Sequence, residues 1–232
     1  MDRLTQIFNC IPKCAVVADI GCDHGNLAAQ LIKEKKSDRV IAADISQKSL
    51  EKAVRLCESL GISHKADFRR GDGLFVLSPG EANVIVIAGM GGNLISGILK
   101  SGMEVARKAY LVLCPHTHEG VLRKFLCESG FAIKNECLAQ EEGRYYQIIC
   151  AEYNGKNCPE DDGFYYEVGR KLLQSKDGLL SGFLEYKIKI TRGIIKNARR
   201  SEGEEAKKLV RDLARFADRL EECLDACKPK ND

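Results

Sequence analysis

The chain has 232 residues, of which 44% are hydrophobic and 30% charged, with a net charge of +3. This is the balance of an ordinary globular protein, long enough for one large domain or a domain with an appendage, and it demands neither a nucleic-acid partner nor a membrane. No apolar run approaches the roughly 18 residues of a membrane span, and the 11 cysteines, odd in number and without a C-x-x-C pair, argue against a disulfide or zinc scaffold and for free thiols in a reducing cytoplasm, with no secretory leader expected.

Leu4, Ile7, Phe8 and Ile11 recur at helical spacing and predict an amphipathic opening helix. From there short apolar runs alternate with helical stretches. The predicted strands are Ala15–Ile20, Arg39–Ala43, Ala66–Arg69, Asn83–Ala88, Ala109–Cys114, Phe131–Ala139 and Tyr145–Tyr153, and the helices between them are Asn26–Lys36, Gln47–Leu60, Asn93–Lys108 and His118–Ser129. Such alternation builds a parallel sheet with right-handed crossovers. The last two strands are separated only by Gln140-Glu141-Glu142-Gly143-Arg144, a hairpin-type link that makes one edge antiparallel. A mostly parallel seven-stranded sheet with that edge is the α/β layout of class I, Rossmann-like methyltransferases.

The stretch from Asn154 to Gly163 is polar, with Gly and Pro, and reads as a linker. It divides a domain over 1–157 from a helical one over 158–232. In the second, Leu179, Phe183, Tyr186, Ile190 and Ile194 form one predicted seam, and Ala206, Leu209, Leu213, Phe216, Leu220, Cys223 and Cys227 another, as in a coiled coil. Between them Ser201 and Glu204 have the spacing of a capping box. Two such seams joined by a short turn satisfy each other as an antiparallel hairpin, so a monomer is expected.

The chemistry concentrates at the strand ends. Val17-Ala18-Asp19-Ile20-Gly21-Cys22-Asp23-His24-Gly25 reads as a buried strand, a glycine turn and a helix start, the junction where α/β proteins hold the charged part of a nucleotide-like ligand. It lacks the G-x-G-x-x-G of a dinucleotide site. Asp23 stands where the second glycine would be, and its carboxylate repels a pyrophosphate but welcomes a ligand carrying an ammonium and a sulfonium, which points to S-adenosylmethionine. Asp19 is placed to hydrogen-bond backbone or ligand near the turn. Asp44 closes the second strand, where an acid accepts ribose hydroxyls or else starts the next helix. Gly71-Asp72-Gly73, after the third strand, is a turn that puts a third acid at the same edge and within reach of an adenine amino group. Ile87-Ala88-Gly89-Met90-Gly91-Gly92 leaves open backbone after the fourth strand, and carries no Asn-Pro-Pro-aromatic motif of the kind that holds an exocyclic amine.

Cys114-Pro115-His116-Thr117-His118 follows the fifth strand. The i, i+2 histidines lack a third ligand, so no metal site is predicted, and His116 is either a substrate contact or a loop cap. Of Tyr145 and Tyr146 one must face the core, and the other is free to stack on a base. Glu185 is the only acid between residues 185 and 200, against Lys187, Lys189, Arg192, Lys196, Arg199 and Arg200, either a phosphate-contacting face or a solvated helix.

The Asp19–His24 string, Arg70-Gly71-Asp72-Gly73-Leu74 and the glycine-rich Ile87–Gly92 segment together resemble the bacterial TrmK-type tRNA (adenine(22)-N1)-methyltransferases, over about residues 4 to 153. The resemblance implies S-adenosylmethionine as methyl donor, N1 of adenine 22 in tRNA as target, and a cytoplasmic enzyme. The cofactor-binding set is then Asp19, Gly21, Cys22, Asp23, His24, Asp44, Ile45, Gly71, Asp72, Gly73, Ala88, Gly89, Met90 and Gly91, with Asp23 and His24 catalytic. The substrate-binding set is Asn26, Pro115, His116, Tyr145, Lys187, Lys189, Arg192 and Lys196. The family usually reads Gln-Pro-Asn where this chain has Cys114-Pro115-His116, and an aromatic where it has Asn26. Against this reading stand an NAD-dependent oxidoreductase, disfavoured by Asp23 and the missing glycines, and a non-catalytic RNA-binding module with a relic pocket, which the Cys114 and His116 departures leave open.

Overall fold

The computed structural model describes residues 1–227. The chain forms two compact units, Met1–Lys171 and Leu172 onward, and residues 228–232 of the expected helical domain lie outside the described residues.

In the first unit, strands β1 (Cys14–Ile20), β2 (Ser37–Asp44), β3 (Ala66–Arg70), β4 (Val84–Met90), β5 (Tyr110–Pro115), β6 (Phe131–Glu141) and β7 (Arg144–Tyr153) form one sheet in the order β3-β2-β1-β4-β5-β7-β6. β1 to β5 pair in parallel, and β7 runs antiparallel to both β5 and β6. The central parallel strands are apolar runs because helices cover both of their faces, whereas edge strand β3 carries Asp67, Arg69 and Arg70 and has no buried residue. Val84, Ile85, Val86 and Ile87 of β4 are all buried. The β6–β7 link is tighter than the five residues expected. Glu142 (φ 49°) and Gly143 (φ 77°) make a two-residue turn with both φ positive, whose twist matches a hairpin.

Helices α1 (Arg3–Cys10), α2 (Asn26–Lys33) and α3 (Gln47–Ser59) cover one face, packing Ile7, Leu27, Leu31 and Leu50 on Val17, Val40, Val86 and Val112. Helices α4 (Gly92–Ser101), α5 (Met103–Ala106) and α6 (Glu119–Glu128) cover the other, packing Ile95, Leu99, Leu122 and Leu126 on Ala18, Ile41, Ile85 and Leu111. The helix expected over 93–108 is therefore two, interrupted at Gly102 where Leu74 packs against the backbone. Strand order turns back between β1 and β4, and at such a switch point the loops diverge and leave a crevice.

The division between units falls after Lys171, not at 157/158 as composition suggested. Residues 158–171, including α7 (Phe164–Val168), are tied to the sheet unit by buried polar groups. Arg123 of α6, about 1% exposed, donates from Nε to Glu136 (2.6 Å), from Nη2 to Gln147 (2.7 Å) and from Nη1 to the Tyr166 carbonyl (2.8 Å). Glu136 also accepts the backbone N–H of Lys171 at 3.0 Å.

Helix α8 (Arg170–Gln174) spans the division, and the second unit continues into two long helices, α9 (Leu180–Ala198) and α10 (Glu204–Cys227), packed along each other. The hairpin is as expected, and its seams are so in part: Phe183 and Leu220 are buried and Ala206, Leu213, Phe216 and Cys223 half-buried, but the packed stripe is wider than either seam and shifts along α9. Leu184, Ile188, Thr191 and Ile195 are buried on α9, whereas Ile190 and Ile194 are exposed. On α10 Ala217 and Leu220 are buried, Val210, Leu213 and Leu224 are half-buried, and Leu209 and Cys227 are exposed. The capping box does not form, because α10 begins at Glu204 itself, the backbone N–H of Lys207 bonding to the Gly203 carbonyl.

Candidate functional site

The crevice at the carboxyl ends of β1 to β5 is a cleft of about 650 Å³, in the range of small-molecule sites. Its floor is the turn after β1. Gly21 (φ 77°) and Asp23 (φ 46°) adopt left-handed conformations, and the Gly21 and Cys22 N–H groups both donate to the Ala43 carbonyl. The positive φ at Gly21 favours glycine, and a side chain there would also displace the end of Met90. Strain at the non-glycine Asp23 is held by Asp44, whose Oδ2 accepts the Asp23 N–H (3.1 Å) while Oδ1 accepts that of Ser46 (2.8 Å). Asp44 thus fixes the loop and the start of α3 with one lone pair on each oxygen, leaving others for a ligand.

Asp19 lies under the turn, 5% exposed, and lines the cleft. Burial, and then the neighbouring Asp44 charge, push its carboxyl up to about 7, and no hydrogen bond among the described residues offsets either. An uncompensated buried carboxylate facing a cleft is a ready partner for a cationic group. The Cys22 thiol is raised by burial and by Asp19 and Asp44, so it is no nucleophile.

Asp23 and His24 stand exposed at the rim. Asp23 Oδ2 is 2.6 Å from His24 Nδ1, and Nε2 of the same ring is 3.1 Å from Lys52 Nζ of α3. An ammonium only donates, so Nε2 accepts in that contact while Nδ1 faces the Asp23 carboxylate. Gly71, Asp72 and Gly73 after β3, exposed Ile45 after β2, and Ala88, Gly89 and Met90 after β4 close the walls, with Leu94 and Ile98 of α4. Gly92 starts α4 against the next loop: its N–H donates to the Thr117 carbonyl at 2.7 Å, and a Cβ there would meet the His118 carbonyl oxygen.

At the other end stand Asn26, His116 and Arg3. The Arg3 Nη1 reaches Nε2 of His116 at 2.7 Å, and its guanidinium lies 5.4 Å from the Tyr146 ring centroid. Burial, then Arg3 and Arg144, lower the His116 pKa.

The cleft therefore gathers all of the expected cofactor residues except Gly91, with Asn26 and His116 from the substrate set. Pro115 is buried in β5 and does not line it. Of the two tyrosines it is Tyr146, not Tyr145, that meets His116, since alternation along β7 sends Tyr145 with Gln147 to the opposite face. The basic residues lie on α9 in the second unit. Lys189, Arg192 and Lys196 share a strip there beside Asp218, Glu221 and Asp225 of α10, with Arg192 paired to Glu221 at 2.6 Å, while Lys187 turns away over the Phe183 ring. Sequence reading missed Arg3, Lys52, Leu94 and Ile98, and of the two tyrosines it placed Tyr145 rather than Tyr146 in the substrate set. Only the amphipathic spacing of the opening helix hinted at Arg3.

Among the described residues no group of three or more His, Cys, Asp or Glu is placed to hold a metal ion, and no helix is long and apolar enough to cross a membrane.

A family model described as "Methyltransferase domain" matches residues 1–149. The tRNA (adenine(22)-N(1))-methyltransferase of Bacillus subtilis (strain 168) is 31% identical over 229 residues, 96% of each chain. The crystal structure of the B. subtilis m1A22 tRNA methyltransferase TrmK superposes with a TM-score of 0.83 at 30% identity, over 96% of this chain and 97% of that one. A Streptococcus pneumoniae protein, Sp1610, described as a putative tRNA (m1A22) methyltransferase and solved with S-adenosyl-L-methionine, shares the fold with a TM-score of 0.82 at 24% identity, over 97% of this chain and all of that one.

Proposed function

The chain belongs to the methyltransferase-domain family and is kin to the tRNA (adenine(22)-N1)-methyltransferases, and from that premise we propose that it transfers a methyl group from S-adenosylmethionine to N1 of adenine 22 in tRNA. The observation that carries this reading is the buried Asp19 carboxylate, bare of hydrogen bonds among the described residues, at the floor of a cleft walled by Asp44, Asp72 and open glycine backbone.

These residues fit the methyl donor. Asp19 suits its ammonium, Asp44 the ribose hydroxyls, and the Gly71–Gly73 turn with Ile45 the adenine. When bound, the donor supplies an electrophilic methyl on a sulfonium. Adenine N1 has an in-plane lone pair, so this chain's residues need not remove a proton before the transfer. Their work is positioning, exclusion of water and management of positive charge, which passes from sulfur to base. Asp23 offers a carboxylate at the rim for that charge, and the Lys52–His24 contact keeps the carboxylate aimed. Arg3, His116, Tyr146 and Asn26 form the end where an extruded base enters.

The basic strip of α9 serves the tRNA backbone, with the acids of α10 trimming its charge. We read the enzyme as a cytoplasmic monomer. Incubation with labelled methyl donor and unmodified tRNA, followed by digestion to nucleosides, tests the reaction: label in 1-methyladenosine is expected, and no label, or label in another nucleoside, overturns it.

A further inference from the structure

The base end of the cleft holds a contact between distant parts of the chain. Arg3 comes from α1 and His116 follows β5, and their Nη1 and Nε2 atoms are 2.7 Å apart. A guanidinium donates and never accepts. Nε2 therefore carries the lone pair, and the proton of the neutral ring sits on Nδ1. The loop is pinned from the other side, because the His116 backbone N–H donates to the Met90 carbonyl at 2.9 Å. The ring lies 5.4 Å from that of Tyr146, over which the Arg3 guanidinium also sits. Glu141 at the end of β6 stands 3.9 Å from Arg3 Nε. The charged and titratable groups facing His116 are thus Arg3 of α1 and Arg144 and Tyr146 of β7, with Glu141 behind Arg3.

We propose that Arg3 is a positioning residue of the methyl transfer, holding His116 as a neutral imidazole that offers its Nδ1–H to the substrate. This rests on the reading of the chain as an adenine-N1 methyltransferase. The chemistry favours such a ring. The target must keep its N1 lone pair for the methyl group and becomes cationic as the methyl arrives, so an imidazolium beside it would repel both donor and product. A ring with a single donor and no acceptor matches a ring nitrogen of adenine other than N1, and it does not compete for the exocyclic amine. The α1 helix thereby has a task beyond covering the sheet, since it delivers the cation that sets the tautomer.

Nitrogen-15 spectra of the full chain, with its histidines labelled, test the contact without any substitution. A protonated Nδ1 and bare Nε2 on His116 at pH 7 are expected, and an Nε2–H tautomer overturns the proposal. Kinetics then test its use. In Arg3→Met one of the two cations that keep the ring neutral is gone, so the His116 pKa rises although burial and Arg144 still lower it, and kcat/KM for tRNA falls more steeply between pH 8 and pH 5.5 than in the unaltered chain, while the donor's affinity without tRNA is unchanged. His116→Asn removes that acid-side loss, and adding Arg3→Met to it costs less than twofold more. Equal losses from Arg3→Met at every pH, or additive losses in the double variant, overturn the proposal. Failure of the unaltered chain to methylate tRNA adenine would instead refute the reaction, and the tautomer spectrum would still decide the contact.

Discussion

Replacing Asp19 with asparagine removes one charge from the cleft floor and keeps the side chain's shape. In the folded chain the Asp19 carboxyl is raised from an ordinary 3.8 to about 7, first by burial and then by Asp44. The folded state therefore binds this proton more tightly than the unfolded one, and stability is lost as pH rises from about 4 to about 7. At pH 8 the full penalty is present, and at roughly 1.4 kcal/mol per pH unit it amounts to about 4 kcal/mol. Asp19→Asn should leave stability unchanged below pH 4 and raise that of the ligand-free chain by up to this amount at pH 8. The same change should weaken binding of a cationic donor about ten- to a hundredfold, since a hydrogen bond to a charged group contributes roughly 1.5–3 kcal/mol. Urea denaturation at pH 5 and pH 8, with calorimetric titration of S-adenosylmethionine at pH 8, reads both effects. A variant that binds the donor as tightly as the original, or is no more stable at pH 8, would refute the reasoning that the carboxylate is held strained for a cationic ligand.

Three more variants probe other links. Asp23→Ala should leave the Lys52–His24 pair without its anchor and lower kcat more than donor affinity, by about tenfold or more, as read by single-turnover transfer. Glu136→Ala strands the buried Arg123 charge and should destabilise the sheet unit by about 3–5 kcal/mol, as read by denaturant midpoint at constant m-value. Lys189→Ala with Lys196→Ala should weaken tRNA binding and flatten its salt dependence by about one unit of slope for each phosphate that the two lysines neutralise; an unchanged slope removes α9 from the tRNA interface.

The central parallel strands were legible because burial on both faces leaves them as apolar runs, and the loops at the carboxyl ends of the sheet then follow from topology. That is why Asp19, Asp44 and Asp72, far apart in sequence, were expected at one edge. The hairpin seams were legible only in part. Ile190, Ile194 and Leu209 are apolar yet exposed, so apolar residues line more of each helix than the packed stripe, and the spacing alone fits two seams rotated by about one residue. Thr191 and Ala217, which do pack, carry a weaker apolar signal. Tyr145 and Tyr146 are adjacent on a strand, and only the register of β7 against β5 and β6 decides which meets the cleft. Arg3 and Lys52 sit on helices whose polar positions look like solvated surface. Their roles come from reaching His116 and His24 across the fold, and no local spacing encodes that.

A methyl group on N1 blocks the pairing edge of adenine and stops reverse transcription one nucleotide short, which turns the central claim into a position on a gel. Two tRNA transcripts, identical except for adenine or guanine at position 22, are incubated with the chain and S-adenosylmethionine and then copied by primer extension. The expected result is a new, donor-dependent stop next to position 22 in the adenine transcript alone. A stop at another position, the same stop in both transcripts, or none in either would contradict methylation of adenine 22.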